Sequence, residues 1–250
     1  LSLLRTISTD KEIIFEINKG ETHSTIIKKL EKSEIINLSK FYIILFKISN
    51  KLTNKLSIKH GEYRINPETN YYNLFKQFIT GEIFLRRITI TEGETVSQVI
   101  KSLKKNKYIT GTIKNIPNEG YLLPETYFFK KGDDINNIIN QAKTAMDTAL
   151  STEWNNQNNS KTNIINTKQK LLTLASIVEK ETSIPSERSR IAAVFLNRLK
   201  KRIKLQSDPT VIYAITKGKY TLERQLSRKD LTINSSYNTY RYYGLPPAPI

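Results

Sequence analysis

Apolar and polar positions alternate, and then settle into helical spacing, twice in the first half of the chain. Phe15–Ile36, FEINKGETHSTIIKKLEKSEII, aligns without gaps on Ile88–Ile109, ITITEGETVSQVIKSLKKNKYI. Gly20/Gly93, Glu21/Glu94, Thr22/Thr95, Ser24/Ser97 and Leu30/Leu103 are identical pairs. Each copy predicts a short strand (Phe15, Ile17; Ile88, Ile90), a glycine turn and a threonine N-cap. A helix then follows, with Ile26, Ile27 and Leu30, or Val99, Ile100 and Leu103, on its apolar face. A looser strand–helix unit lies between them, from His60 to Glu82, with Leu74, Phe75, Phe78 and Ile79 on one face. Turn residues in TGTIKNIPNE then predict a boundary, with a repeat module over 1–112 and a second domain over 113–250.

The second domain reads as mainly helical. It opens with EGYLLPETYFF, where Pro124 disfavours a continuous central strand and Tyr121, Tyr127, Phe128 and Phe129 cluster. Such an aromatic face suits either a core corner or a sugar ring. Helices are expected over Ile135–Leu150, Lys168–Thr182 and Ser186–Lys201, with a polar loop over 151–167. In the middle helix, Leu171, Leu174, Ala175 and Val178 form a stripe at i, i+3, i+4 and i+7. LASIVEKET then sets Glu179 at the edge of that stripe, near the helix C-terminus. Apolar neighbours and the negative end of the helix dipole both disfavour its anion. Glu179 is therefore either a boundary residue or an acid that holds its proton. Glu181 reads as an exposed helix-end carboxylate that pairs with Arg188 or Lys180. Asp208 before Pro209 reads as an N-cap and first-turn signal, and Gly218 as a helix stop. Gln206, just before that helix, has a donor and an acceptor to offer a sugar amide. The tail SSYNTYRYYGLPPAPI carries Tyr237, Asn238 and Tyr240, rings and an amide of the kind that suit carbohydrate.

Composition narrows the chemistry. The 250 residues contain no cysteine and two histidines, His23 and His60, both in the first quarter of the chain and far in sequence from LASIVEKET and the blocks around it. That removes thiolate and disulfide chemistry and leaves no histidine near the motifs for a metal centre or a serine triad. No metal and no cofactor is expected, and no P-loop or Rossmann glycine pattern occurs. The net charge of +17 comes with heavy use of lysine, asparagine and isoleucine, and is spread over both halves. It reads as a solvated basic surface with no specific nucleic-acid partner. The most apolar window, Phe41–Ile48, is far short of the ~20 residues a membrane helix needs.

Four ordered blocks carry a resemblance. EGYLLPETYFF, LASIVEKET, PSERSRIAAVFLNRLKKRIKLQSDPTVIYAI and YNTYRYYGLPPAPI closely resemble the MltG or YceG-like endolytic murein transglycosylases. The strand–GET–helix units likewise resemble the LysM-like module, which recognises N-acetyl sugars. The resemblance implies an α+β chain, a LysM-like module followed by a lysozyme-like catalytic domain. It implies cleavage of MurNAc–GlcNAc β-1,4 bonds in peptidoglycan to 1,6-anhydro-MurNAc ends. The family's catalytic glutamate falls on Glu179. Gln206, Tyr237, Asn238, Tyr240, Glu181 and Glu125 are the candidate substrate-binding residues. The implied setting is the extracytoplasmic side of the bacterial inner membrane, near peptidoglycan synthases. A single-pass anchor is expected upstream of Leu1, and an NPG-containing segment beyond Ile250.

Overall fold

The computed structural model describes residue 7 and residues 11–36, 58–156 and 164–250. The apolar window Phe41–Ile48 lies outside these residues, as do 157–163 of the polar loop. The chain divides into two compact units, Leu1–Arg86 with Phe128–Gly132, and Arg87–Tyr127 with Asp133–Ile250.

In the first unit the alternating run forms β1 (Ile13–Ile17), which pairs antiparallel with β2 (Gly61–Ile65) and sets Phe15 opposite Tyr63. Thr22 caps α1 (His23–Lys32) by accepting the Thr25 N–H at 3.3 Å. Asn70 caps α2 (Tyr71–Thr80) in the same way at 2.8 Å, and Gly81 ends that helix in the left-handed conformation. The apolar faces meet over a core that includes Phe15, Leu30, Tyr63, Leu74 and Phe78. The Tyr63 and Phe78 rings lie edge to face, 4.7 Å apart. Buried Glu62 is held by both sides of the Arg86 fork at 2.8 Å.

The second unit takes up the other copy of the repeat. It contains α3 (Val96–Lys105), α4 (Ile135–Asn156), α5 (Lys168–Glu181), α6 (Pro185–Lys200), α7 (Asp208–Thr216) and a 3-10 turn at Asp230–Thr232. The strands β3 (Arg86–Thr89) and β4 (Thr126–Phe129) pair as a second two-stranded sheet, and β4 begins only after Pro124. Leu174, Ile177, Val178, Phe195, Leu205 and Ile250 form the core beneath α5 and α6. The fold is thus mixed helix and strand, with most of its helix in this unit. Among the described residues no helix is long and apolar enough to cross a membrane.

The division falls after Arg86 rather than near residue 112. The second copy of the repeat therefore belongs with the glutamate-bearing helix, not with the first copy. The reason is chemical. Thr95 caps α3 in a capping box with Gln98, and its hydroxyl also donates to the Gly218 carbonyl at 2.7 Å. The Val96 N–H donates to Glu119 Oε2 at 2.8 Å. The hydroxyl of Thr22, the equivalent of Thr95, bonds locally among the described residues, with Thr25 N–H and Thr25 Oγ1.

Candidate active site

The end of α5 positions the central carboxylate. Thr167 starts the helix by accepting the Lys170 N–H at 3.1 Å, and Leu172, Leu174, Ile177 and Val178 are buried beneath it. The expected stripe is rotated, because Ala175 is exposed. Leu172, Ala175, Ser176 and Glu179, again at i, i+3, i+4 and i+7, instead line a cavity of about 170 Å3. Ala175 and Ser176 are small, so the helix leaves space in front of Glu179. The opposite wall comes from the repeat and the aromatic block: Ile90, Gly93, Glu94, Val96, Val99, Gly120, Leu122 and Pro124. Met146 and Ile250 complete it.

Two glycines shape this wall for different reasons. Gly93, like Gly20 in the first copy, has a positive φ and open space around it, so the tight turn is what requires glycine. At Gly120 a Cβ would come within 2.8 Å of the Pro249 side chain, so close approach adds to the backbone demand.

The Glu179 side chain is 27% exposed and meets a cation that the sequence had assigned to Glu181. Arg188 Nη2 donates to Glu179 Oε1 at 3.1 Å and to Glu92 Oε2 at 3.0 Å. Lys180 donates to the Gly93 carbonyl at 2.6 Å, tying the helix end to the repeat's turn. Burial pushes the Glu119 carboxyl up, against the opposing pull of the Val96 N–H and the Lys180 charge.

A profile of the YceG-like family matches residues 15–250. The chain belongs to the YceG-like family. It is 32% identical, over its whole length, to the endolytic murein transglycosylase of Bacillus subtilis (strain 168) and spans 75% of that protein. It is 27% identical over 97% of its length to the endolytic murein transglycosylase of Streptococcus pneumoniae serotype 2, of which it spans only 50%. The crystal structure of a yceG-like protein from Listeria monocytogenes superposes with a TM-score of 0.51 at 30% identity. That match covers 96% of this chain and 85% of the other.

The remaining candidates of this YceG-like chain separate into groups. Glu181 accepts a hydrogen bond from the buried Ser207 hydroxyl and pairs with neither Arg188 nor Lys180 as its main partner. Gln206 adopts a positive φ of 54°, donates its N–H to the Thr239 carbonyl and accepts from Arg198 Nη1 at 3.2 Å. Tyr240 donates to Asp208 Oδ1 at 2.6 Å, and that contact, with burial, pushes its phenol up to about 12. Ser207 is the residue before α7 and makes no side-chain cap, while Asp208 sits in the first turn. Asp208 is therefore a first-turn residue rather than the N-cap. Tyr237 packs on Tyr213, centroids 4.8 Å apart, under the Lys217 ammonium.

Two of the expected substrate-binding residues have other places. Asn238 is fully buried. Its amide donates to the Leu231 and Ile233 carbonyls at 3.0 and 2.9 Å, and its oxygen accepts the Tyr240 N–H at 3.0 Å. Both amide hydrogens are used and the side chain is enclosed, so the residue shapes the loop that carries Tyr237 and Tyr240. Glu125 faces a separate groove along α4, with Tyr127, Asp133, Asn137 and Asn140. It does not line the Glu179 cavity. Sequence reasoning missed Glu92, Glu94 and Glu119 at this site. Only Glu94 had a legible signal, the recurrence of GET, and it is the second copy that supplies walls to the cavity.

Proposed function

We propose that this chain is an endolytic murein transglycosylase with Glu179 as its acid and base. The observation that carries the reading is Glu179 on the wall of a cavity at the end of α5, in a family whose curated relatives bear that name. The substrate is the peptidoglycan glycan strand, cleaved at internal MurNAc–GlcNAc β-1,4 bonds. Protonated Glu179 donates to the glycosidic oxygen as the bond to C1 breaks, and GlcNAc leaves with its new hydroxyl. The Glu179 carboxylate then takes the proton of the C6 hydroxyl on the same MurNAc. O6 bonds to C1, the 1,6-anhydro ring closes, and Glu179 has its proton back. No water is consumed. One carboxyl suffices because the nucleophile is intramolecular and already close, whereas hydrolysis by a standard glycosidase needs two carboxyl groups.

Finer parts of this reading rest on resemblance. Gln206, Tyr237, Tyr240 and Glu181 flank the strand-binding side around Ser207 and Thr239. The first unit is read as LysM-like and the second as lysozyme-like. The substrate sets the chain on the extracytoplasmic face, with a single-pass anchor and peptidoglycan synthases nearby.

The test is mass spectrometry of purified glycan strands treated with this chain and with Glu179→Gln. Anhydro-ended fragments from the wild type alone are expected. Reducing ends would mean hydrolysis, and anhydro products from Glu179→Gln would remove Glu179 from the role.

A further inference from the structure

Arg188 holds two carboxylates with a single nitrogen. Its Nη2 reaches Glu92 at 3.0 Å and Glu179 at 3.1 Å, while its buried Nε has no hydrogen-bond partner. A guanidinium locked onto one carboxylate uses two nitrogens side by side, as Arg86 does on Glu62. Arg188 is not locked in this way, and an idle buried donor costs stability. Its two partners differ in setting. The Glu92 side chain is 62% exposed, and that of Glu179 is 27% exposed beside the cavity. Glu92 lies in the turn before α3, Glu179 on α5 and Arg188 on α6, so three elements meet at one cation.

We propose that Arg188 is a positioning residue that moves between Glu92 and Glu179 and so controls the protonation of Glu179 through the cycle. This rests on the reading of Glu179 as acid and base. That role requires a neutral carboxyl before the glycosidic bond breaks and an anion after it. A cation fixed beside Glu179 would favour the anion throughout and make it a poor acid. A second carboxylate gives the cation a partner to move to when it leaves Glu179. Glu92 supplies the second partner. The hydrogen bond to Glu92 is the largest of the interactions that push the Arg188 guanidinium up. The other charges facing Glu179 do not offer this movement. Lys180, next to it on α5, is anchored on the Gly93 carbonyl, and Glu94, across the cavity, is a carboxyl group and not a cation.

The experiment is the pH dependence of kcat/KM on purified glycan strands for the wild type, Glu92→Gln, Arg188→Gln and Glu179→Gln. The alkaline limb reports loss of the acid's proton. In Glu92→Gln the cation stays on Glu179, so the limb moves to lower pH. In Arg188→Gln the cation is gone, so the limb moves to higher pH. Each shift is expected to be about one unit, with kcat in Arg188→Gln down roughly tenfold and KM within about twofold. The 13C titration of the Glu179 carboxyl should move in the same two directions, and it needs no turnover. Glu92 is exposed, so Glu92→Gln folds and decides the matter even if Arg188→Gln does not. Limbs and titrations that stay put, or move the same way in both variants, overturn the proposal. Activity in Glu179→Gln overturns the acid/base reading instead, so the two failures are distinct.

Discussion

At the residue scale, hydrogen-bond inventory separates structural side chains from those open to a ligand. Asn238 stands between two tyrosines as a sugar reader would, yet its amide is enclosed and bonded to Leu231, Ile233 and Tyr240. Asn238→Ala is therefore expected to lower stability by about 2–4 kcal/mol, since it leaves buried carbonyls and an N–H unpaired. Urea unfolding measures this. A raised KM with unchanged stability would restore the substrate-binding role. Glu181 and Glu179 show the same logic in two carboxylates two residues apart. The first is engaged by Ser207, whereas the second faces a cavity and a shared cation.

At the scale of elements, the repeat is one sequence pattern put to two uses. Both copies make a strand, a glycine turn and a threonine-capped helix, because those features are local. Among the described residues the Thr22 cap serves α1 alone, but the Thr95 cap also fastens Gly218 and sits one residue before Val96 on the cavity wall. Thr22→Ala is expected to cost about 1 kcal/mol and Thr95→Ala about 2 kcal/mol. Only Thr95→Ala should also slow cleavage, because α3 would shift against Glu179. Chemical denaturation and product release by the two variants measure both effects. Equal losses of stability with equal activity would show that the second copy is only a scaffold.

For the whole molecule, the division after Arg86 makes a prediction about fragments. A chain of residues 87–250 keeps α3, its bond to Glu119 and the wall formed by Val96 and Val99. A chain of residues 113–250 follows the boundary that the turn residues suggest, but loses all of these. The longer fragment is expected to unfold cooperatively and to keep cleavage. The shorter one should lack a cooperative transition by circular dichroism. Cooperative, active 113–250 would return the second copy to the first unit.

The resemblance carried by the family blocks pointed to Glu179, and the sequence by itself determined the helices, the repeat and its threonine caps. Those depend on residues within one or two turns of each other, where periodicity, glycine, proline and threonine act directly. It did not reveal that α5 turns Ala175 outward, that Arg188 serves Glu179 rather than Glu181, or that Asn238 is enclosed. Nor did it show that Glu125 leaves the site while Glu92, Glu94 and Glu119 enter it. These depend on segments far apart in the chain, brought together by packing and by hydrogen bonds such as Thr95 to Gly218. A local pattern fixes which way a side chain can point on its own helix, but only the tertiary structure decides what stands opposite.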